Sequence, residues 1–149
     1  MSSIFNKNDN EIIIARINNL TPESKVQWGK MNVAQMLSHC QAPMDVAFGM
    51  LALQSNFFMQ LLGKFFKNKI ISSKEFKKNS PTAPAFIRKE SCDFQKAKQE
   101  LIEKITHFST LGKNAIKNTQ HPFFGKMTYD EWDTLQSMHL DHHLRQFGV

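Results

Sequence analysis

Cysteine, glycine, proline and tyrosine are all scarce here: two Cys, six Gly, five Pro and one Tyr in 149 residues. The two cysteines, Cys40 and Cys92, form no Cys-x-x-Cys pair, and two thiols in a chain able to bury its own core make no disulfide framework. So little Gly and Pro excludes a collagen-like, linker-rich or low-complexity chain. Long apolar runs are missing as well. The most apolar stretch, Phe48 to Leu62, is broken by Gln54, Ser55, Asn56 and Gln60. It falls short of the roughly 20 apolar residues that span a bilayer, so no transmembrane segment is expected. The opening Met-Ser-Ser-Ile-Phe-Asn-Lys-Asn-Asp-Asn lacks the apolar core of a secretion signal, which predicts a cytoplasmic protein. Negative charge is also in short supply, with 13 acidic residues against 19 basic ones and a net charge of +6. That excess permits anionic partners without requiring them. Much of it lies in a basic segment, 64–78, which carries Lys64, Lys67, Lys69, Lys74, Lys77 and Lys78. Charge runs usually solvate a loop or helix end; the sharper reading is a phosphate or membrane-surface patch. There is no nucleic-acid recognition motif and no basic run interleaved with stacking aromatics, so no nucleic-acid partner is expected.

What is present is a 41% apolar, 21% charged composition with a mean hydropathy of −0.41. That suits a single globular domain over residues 1–149. Helical periodicity dominates. Ile13, Ile14 and Ile17, closed by Leu20, form one stripe, with Asp9 as the expected cap. Thr21-Pro22-Glu23-Ser24 looks like a further helix start, ended by Trp28-Gly29. Asn32 is a good N-cap for a helix whose Val33, Met36, Leu37, Cys40, Met44, Ala47, Phe48 and Leu51 step by three and four. Pro43 lies inside that run and should bend it near His39. A second apolar piece spans about Gln54 to Phe66, and residues 70 to 91 read as a long connection. The next helix is the clearest, with Asp93 as cap, Phe94, Ala97, Leu101, Ile102, Ile105 and Phe108 as stripe and Gly112 as stop. After the aromatic turn His121-Pro122-Phe123-Phe124-Gly125, Thr128 and Glu131 make a capping box for a last helix reaching about Gln146. No alternating pattern or hairpin dipeptide predicts a strand. Four main amphipathic helices in one domain predict an all-α helix bundle.

Chemistry gathers in the last helix. Trp132, Leu135, His139, His142 and Gln146 share one side, with His143 beside them, so the stripe changes from apolar to imidazole halfway along. His139 and His143 are four residues apart, about 6 Å along the axis and on one face, a spacing that lets two imidazoles ligate one ion. The intervening Leu140-Asp141-His142 lacks the Glu of the metalloprotease motif. Stable sites take three or more ligands, and His39, beside the stripe of an earlier helix, is the candidate third. His142 is either an outer neighbour of the site or the alternative ligand to His143. His121 caps or packs within its turn, or reaches the site. His107, near a helix C-terminus, reads as structural. Cys40 points about 100° from His39 around the helix and reads as an inert buried thiol. Asp141 faces away from His139 and pairs with Arg145.

These residues carry a family resemblance. Trp28-Gly29-Lys30-Met31, Ser38-His39-Cys40, His121-Pro122-Phe123-Phe124-Gly125-Lys126-Met127-Thr128 and His139-Leu140-Asp141-His142-His143-Leu144-Arg145-Gln146-Phe147 resemble the DinB-like (DinB/YfiT-like) superfamily. Within it they look like an uncharacterised branch defined only as a domain of unknown function. The resemblance covers about Glu11 to Phe147 and is weak between residues 50 and 90. It implies an up-down-down-up four-helix bundle and a divalent metal, zinc or nickel foremost and iron or manganese next, held by His39, His139 and His143. It also implies a small-molecule substrate, a low-molecular-weight thiol as cosubstrate in some relatives, and a homodimer. The function expected is a metal-dependent transferase or hydrolase. Its open position should face a cavity lined by Trp132, Met36 and Phe123. The alternative is a non-enzymatic binding module, its metal structural or absent, that docks through the basic segment 64–78.

Overall fold

The structure, a computed structural model, describes residues 2–53, 57–73, 75–82, 84–88 and 90–149, with the backbone alone for 57–60. The expected start of the second apolar piece at Gln54, and Lys74 of the basic segment, lie outside the described residues. Helix α1 spans Lys7–Asn18. Its cap is Asn6, whose side chain accepts from the Asp9 N–H at 3.1 Å, and not Asp9 as the sequence suggested. Asn caps as well as Asp, and its place three residues earlier adds a turn to the helix. Asp9 instead accepts from the Ser3 N–H at 2.8 Å. The Thr21-Pro22 start does not become a helix. Thr21 and Ser24 close a turn on each other, and the chain from there to Met31 is a strap of turns and bends.

Helix α2, Val33–Ala47, opens on the Asn32 cap and a reciprocal bond with Gln35, and it runs through Pro43. Helix α3 spans Phe57–Ser73, so the long connection begins later than expected. A short 3-10 turn, Pro84–Phe86, lies within that connection. Helix α4, Phe94–Leu111, is capped by Asp93 and stopped at Gly112. Strands β1, Gln120–His121, and β2, Gly125–Lys126, form an antiparallel hairpin that the sequence pattern did not foretell. Two residues per strand are too few to show alternation. Helix α5, Tyr129–Gln146, starts on the Thr128–Glu131 capping box.

The architecture is mostly helical, as an all-α chain should be. Helix α4 packs on α1 and α2, while α5 packs on α1, α2 and α3. The core is built from Ile13 and Ile17 of α1, Met36, Leu37 and Met44 of α2, Leu101, Ile105 and Phe108 of α4, and Trp132, Leu140 and Leu144 of α5. Buried amides tie the helices at fixed heights. Asn10 donates to the carbonyls of Ile4 and Ile105, Gln41 to Ala97 and Gln136 to Pro43. Such bonds leave fewer buried polar atoms unpaired and resist sliding of one helix along the next.

Helix α5 is covered on most sides rather than on one stripe, since Gln136, Ser137, Met138, Leu140 and Leu144 are buried along with Trp132, Leu135, His142 and Gln146 of the expected stripe. Helix α3 is different. Gly63 abuts the hairpin, where a Cβ would lie 1.7 Å from the Phe123 carbonyl oxygen. Lys67 pairs with Glu131 at 2.8 Å and donates to the Lys126 carbonyl. Its outer side leaves Leu61, Leu62, Phe65 and Phe66 exposed. No helix among the described residues is long and apolar enough to cross a membrane.

Candidate metal centre

Helices α2 and α5 meet where each carries imidazole. One ring nitrogen from each of His39, His139 and His143 falls within 4.8 Å of the others. The ring centroids form a near-regular triangle: 4.9 Å for His39–His139, 4.7 Å for His39–His143 and 4.6 Å for His139–His143. His139 and His143 share a face of α5 through their four-residue spacing. His39 arrives from α2, whose height against α5 is set by the Gln136 amide on the Pro43 carbonyl.

Hydrogen bonds fix which nitrogens are free. His39 Nδ1 lies 2.9 Å from the Phe86 carbonyl, which can only accept, so Nδ1 carries the proton and Nε2 its lone pair. Gln146 Nε2 donates to the Trp28 carbonyl at 2.6 Å. This turns Gln146 Oε1 toward His143 Nδ1, 2.8 Å away, and again protonates Nδ1 and frees Nε2. His39 Nε2 and His139 Nε2 are 3.0 Å apart. Two nitrogens bound tetrahedrally to one ion at about 2.0–2.1 Å would be about 3.3 Å apart, so this spacing fits a shared cation. Backbone and amide partners of this kind commonly orient metal-binding histidines. The exception is His139 Nδ1, which is shut from solvent without a partner among the described residues, although part of the residue reaches the surface.

Burial makes all three imidazoles poor bases. It holds the His39 pKa below its ordinary value, helped by the nearby Arg88 guanidinium and opposed by the Phe86 bond. Burial and then the neighbouring imidazoles, His143 first, hold His139 well below it. Burial brings His143 down to about 3, with His39 adding to the effect. The neutral form that results at neutral pH is the form that binds metal.

The other candidates are placed elsewhere. His121 is buried in the hairpin, where its Nδ1 accepts from the Phe123 and Phe124 N–H groups, both at 3.1 Å. Burial takes its pKa down to about 4. His142 turns outward from the triangle, with Trp28 and Phe76 edge-on to its ring at 5.9 Å each. Its pKa is lowered by burial against a raising bond to the Phe76 backbone. His107 is exposed and packs on Phe48. Cys40 is buried against Met36, and burial raises its thiol pKa far from reactivity. Asp141 pairs with Arg16 as well as Arg145, and Asp45 with Lys104.

Two cavities open beside the triangle. One, of about 440 Å³, is lined by His142, His143, Trp28 and Arg88 among others. The second, of about 480 Å³, lies between Trp28, Phe76, His142 and Arg145. The expected lining by Trp132, Met36 and Phe123 is corrected here. Trp132 and Met36 are 0% and 1% exposed, sealed in the core, and Phe123 packs on Phe124. The buried sides of α5 and α2 carry those residues inward, and the Trp28 strap covers the site from above.

A model of the DUF1569 family, described as a protein of unknown function, matches residues 4–148. The chain belongs to the DUF1569 family. No curated protein and no solved structure matches it. The matched span holds the histidine triangle together with the supports that residue patterns could not reveal. Phe86 and Trp28 act through backbone carbonyls, which no side chain announces. Gly29 is a visible trace of the strap. It has φ +89°, and a Cβ there would lie 2.5 Å from Gln146 Nε2, so a glycine lets the strap approach the amide that orients His143. Arg88 was missed because it sits in a segment without periodicity.

Proposed function

We propose that this DUF1569 chain is a divalent-metal-dependent enzyme with a four-helix bundle of the DinB-like kind, in which His39, His139 and His143 hold the ion. One observation carries the reading: three neutral imidazoles converge within 4.8 Å, and two of them have their outer nitrogens engaged by a backbone carbonyl and an amide oxygen. The resemblance of the histidine-bearing segments to that superfamily supports the same ligand set. Zinc or nickel suits an all-nitrogen set best, with iron and manganese next.

When bound, the ion supplies Lewis acidity and the means of lowering the pKa of a thiol or water. The chain's own residues do the rest. Gln146 and the Phe86 carbonyl aim His143 and His39. Trp28 and Phe76 wall the cavities with apolar surface. His142 lines both cavities and is the titratable ring placed to hold or pass a proton there. Asp45 and Asp141 are engaged in ion pairs and take no part. Three histidines leave a coordination position for a small-molecule substrate or a low-molecular-weight thiol. The reaction is then thiol transfer or hydrolysis. A cytoplasmic location and a homodimer, the latter drawn from the resemblance, belong to the same proposal.

The test is turnover by metal-loaded protein of electrophilic substrates with and without added low-molecular-weight thiol, and of esters and amides in water. Thiol-dependent turnover marks a transferase, and turnover in water alone marks a hydrolase. Either must vanish in His143→Ala. Activity that persists in that variant contradicts the reading.

A second reading has its own observation. Leu61, Leu62, Phe65 and Phe66 lie exposed on α3, with Phe65 at 78%, beside exposed Lys64 and Lys69. This is the surface of a docking module acting through segment 64–78. It predicts that charge reversal of these lysines abolishes a partner interaction while His139→Ala does not.

A further inference from the structure

The cavity of about 440 Å³ beside His143 contains two cations, Lys30 and Arg88, and among its described lining residues no carboxylate. The neighbouring cavity differs: it holds its own carboxylate, Glu75, 3.7 Å from Arg145. Arg88 is half-buried and forms no ion pair among the described residues. Its Nε donates to Ser38 Oγ and its Nη1 to the Ala85 carbonyl, both at 3.3 Å. A guanidinium carries five N–H donors, so three remain.

Those two anchors adjoin the groups that orient His39. Ser38 precedes it on α2, and Ala85 precedes Phe86, whose carbonyl holds His39 Nδ1. Arg88 and His39 are thus set by the same two stretches of backbone. A half-buried cation without a counter-ion is costly, and a planar fork matches the two oxygens of a carboxylate or phosphate. Asn79, Ser80 and Thr82 add neutral donors to the same wall.

We propose that this cavity is an oxyanion subsite, in which Arg88, assisted by Lys30, grips the carboxylate or phosphate of a small substrate and presents the rest of it to the histidine triangle. The word substrate rests on the enzymatic reading above; the binding itself does not. The anion-bearing end lies on the Arg88 side, and the reacting end lies toward His143.

The experiment is calorimetric titration of the full chain at low ionic strength with inorganic phosphate and, separately, with succinate. One or both should bind at one per chain, and the better ligand names the oxyanion. Arg88→Gln should weaken that binding at least tenfold, and Arg88→Lys should recover part of it. Lys30→Gln, at an exposed position away from the Ser38 and Ala85 bonds, should weaken it about threefold or more. Lys113→Gln, an exposed lysine elsewhere, should leave it unchanged. Absence of one-to-one binding by either anion overturns the proposal, as does binding that Arg88→Gln leaves equal to that of the wild type. Metal content measured on the same samples separates the two claims. Arg88→Gln should retain the ion, and His143→Ala should lose it while still binding the anion. Anion binding by a protein that takes up no metal would leave the subsite standing and remove the metal centre.

Discussion

Gln146 determines which nitrogen of His143 is free. Its amide is locked because Nε2 has the Trp28 carbonyl to satisfy, so Oε1 must face the imidazole. Truncation in Gln146→Ala leaves the His143 Nδ1 proton and the Trp28 carbonyl without these partners. Metal affinity should fall by about 10–100-fold, the usual cost of losing an outer-shell partner, as measured by competition with a chromophoric chelator. His121→Ala should instead leave metal affinity nearly unchanged and loosen the hairpin, because its Nδ1 serves the Phe123 and Phe124 N–H groups. The three histidines that converge were legible in the sequence. The four-residue spacing of His139 and His143 is a direct consequence of helix pitch, and His39 sits beside an apolar stripe. The choice between His142 and His143 was not legible, since both lie on the inner half of α5. Only the packing of Trp28 and Phe76 against His142 draws it out of the triangle.

Each helix start reflects a local contest between cap and stripe. Asn32, Asp93 and Thr128 cap as their sequences say, because an apolar stripe follows and repays the order. Thr21-Pro22 has the cap chemistry without a stripe, and only a turn forms. Helix α3 outran its expected end because Ile70 and Ile71, both half-buried, keep a packed side beyond Phe66. Thr128→Ala should cost about 1 kcal/mol and lower Tm by about 2–4 °C in a thermal melt. Gly29→Ala is strained by its positive φ and by the close approach of Gln146. It should displace the strap and weaken metal binding while α1 and α4 keep their hydrogen-exchange protection. Equal loss of protection throughout would show that the strap supports the whole fold rather than the site.

At the scale of the whole molecule, the cluster ties stability to pH. Burial lowers the folded-state pKa of His39, His121, His139 and His143 from an ordinary value of 6.5, to about 4 for His121 and about 3 for His143. The unfolded chain therefore binds more protons below pH 6.5, so the stability that these residues contribute is complete above that value and drains away as pH falls toward the folded pKa values. Each contributes at most about 1.4 kcal/mol per pH unit in that window. Tm should fall steeply between pH 6.5 and pH 4.5, and His121→Asn should flatten the slope. A bound ion should oppose the fall, since metal and protons compete for the same nitrogens; at a thousandfold excess over Kd it adds about 4 kcal/mol. The helical class followed from periodicity alone. The packing around α5 did not, because α1, α2, α3, the Trp28 strap and the hairpin, among the described residues, cover it from positions far apart in the chain. The central claim is that His39, His139 and His143 form a metal centre. Elemental mass spectrometry of untagged protein purified without chelator, beside His39→Ala and His143→Ala, tests it most directly. The account predicts near one equivalent of zinc, nickel, iron or manganese, lost in both variants. A wild-type protein that is empty, and stays empty after incubation with each metal, would contradict it and leave the histidines as a polar cluster in the core.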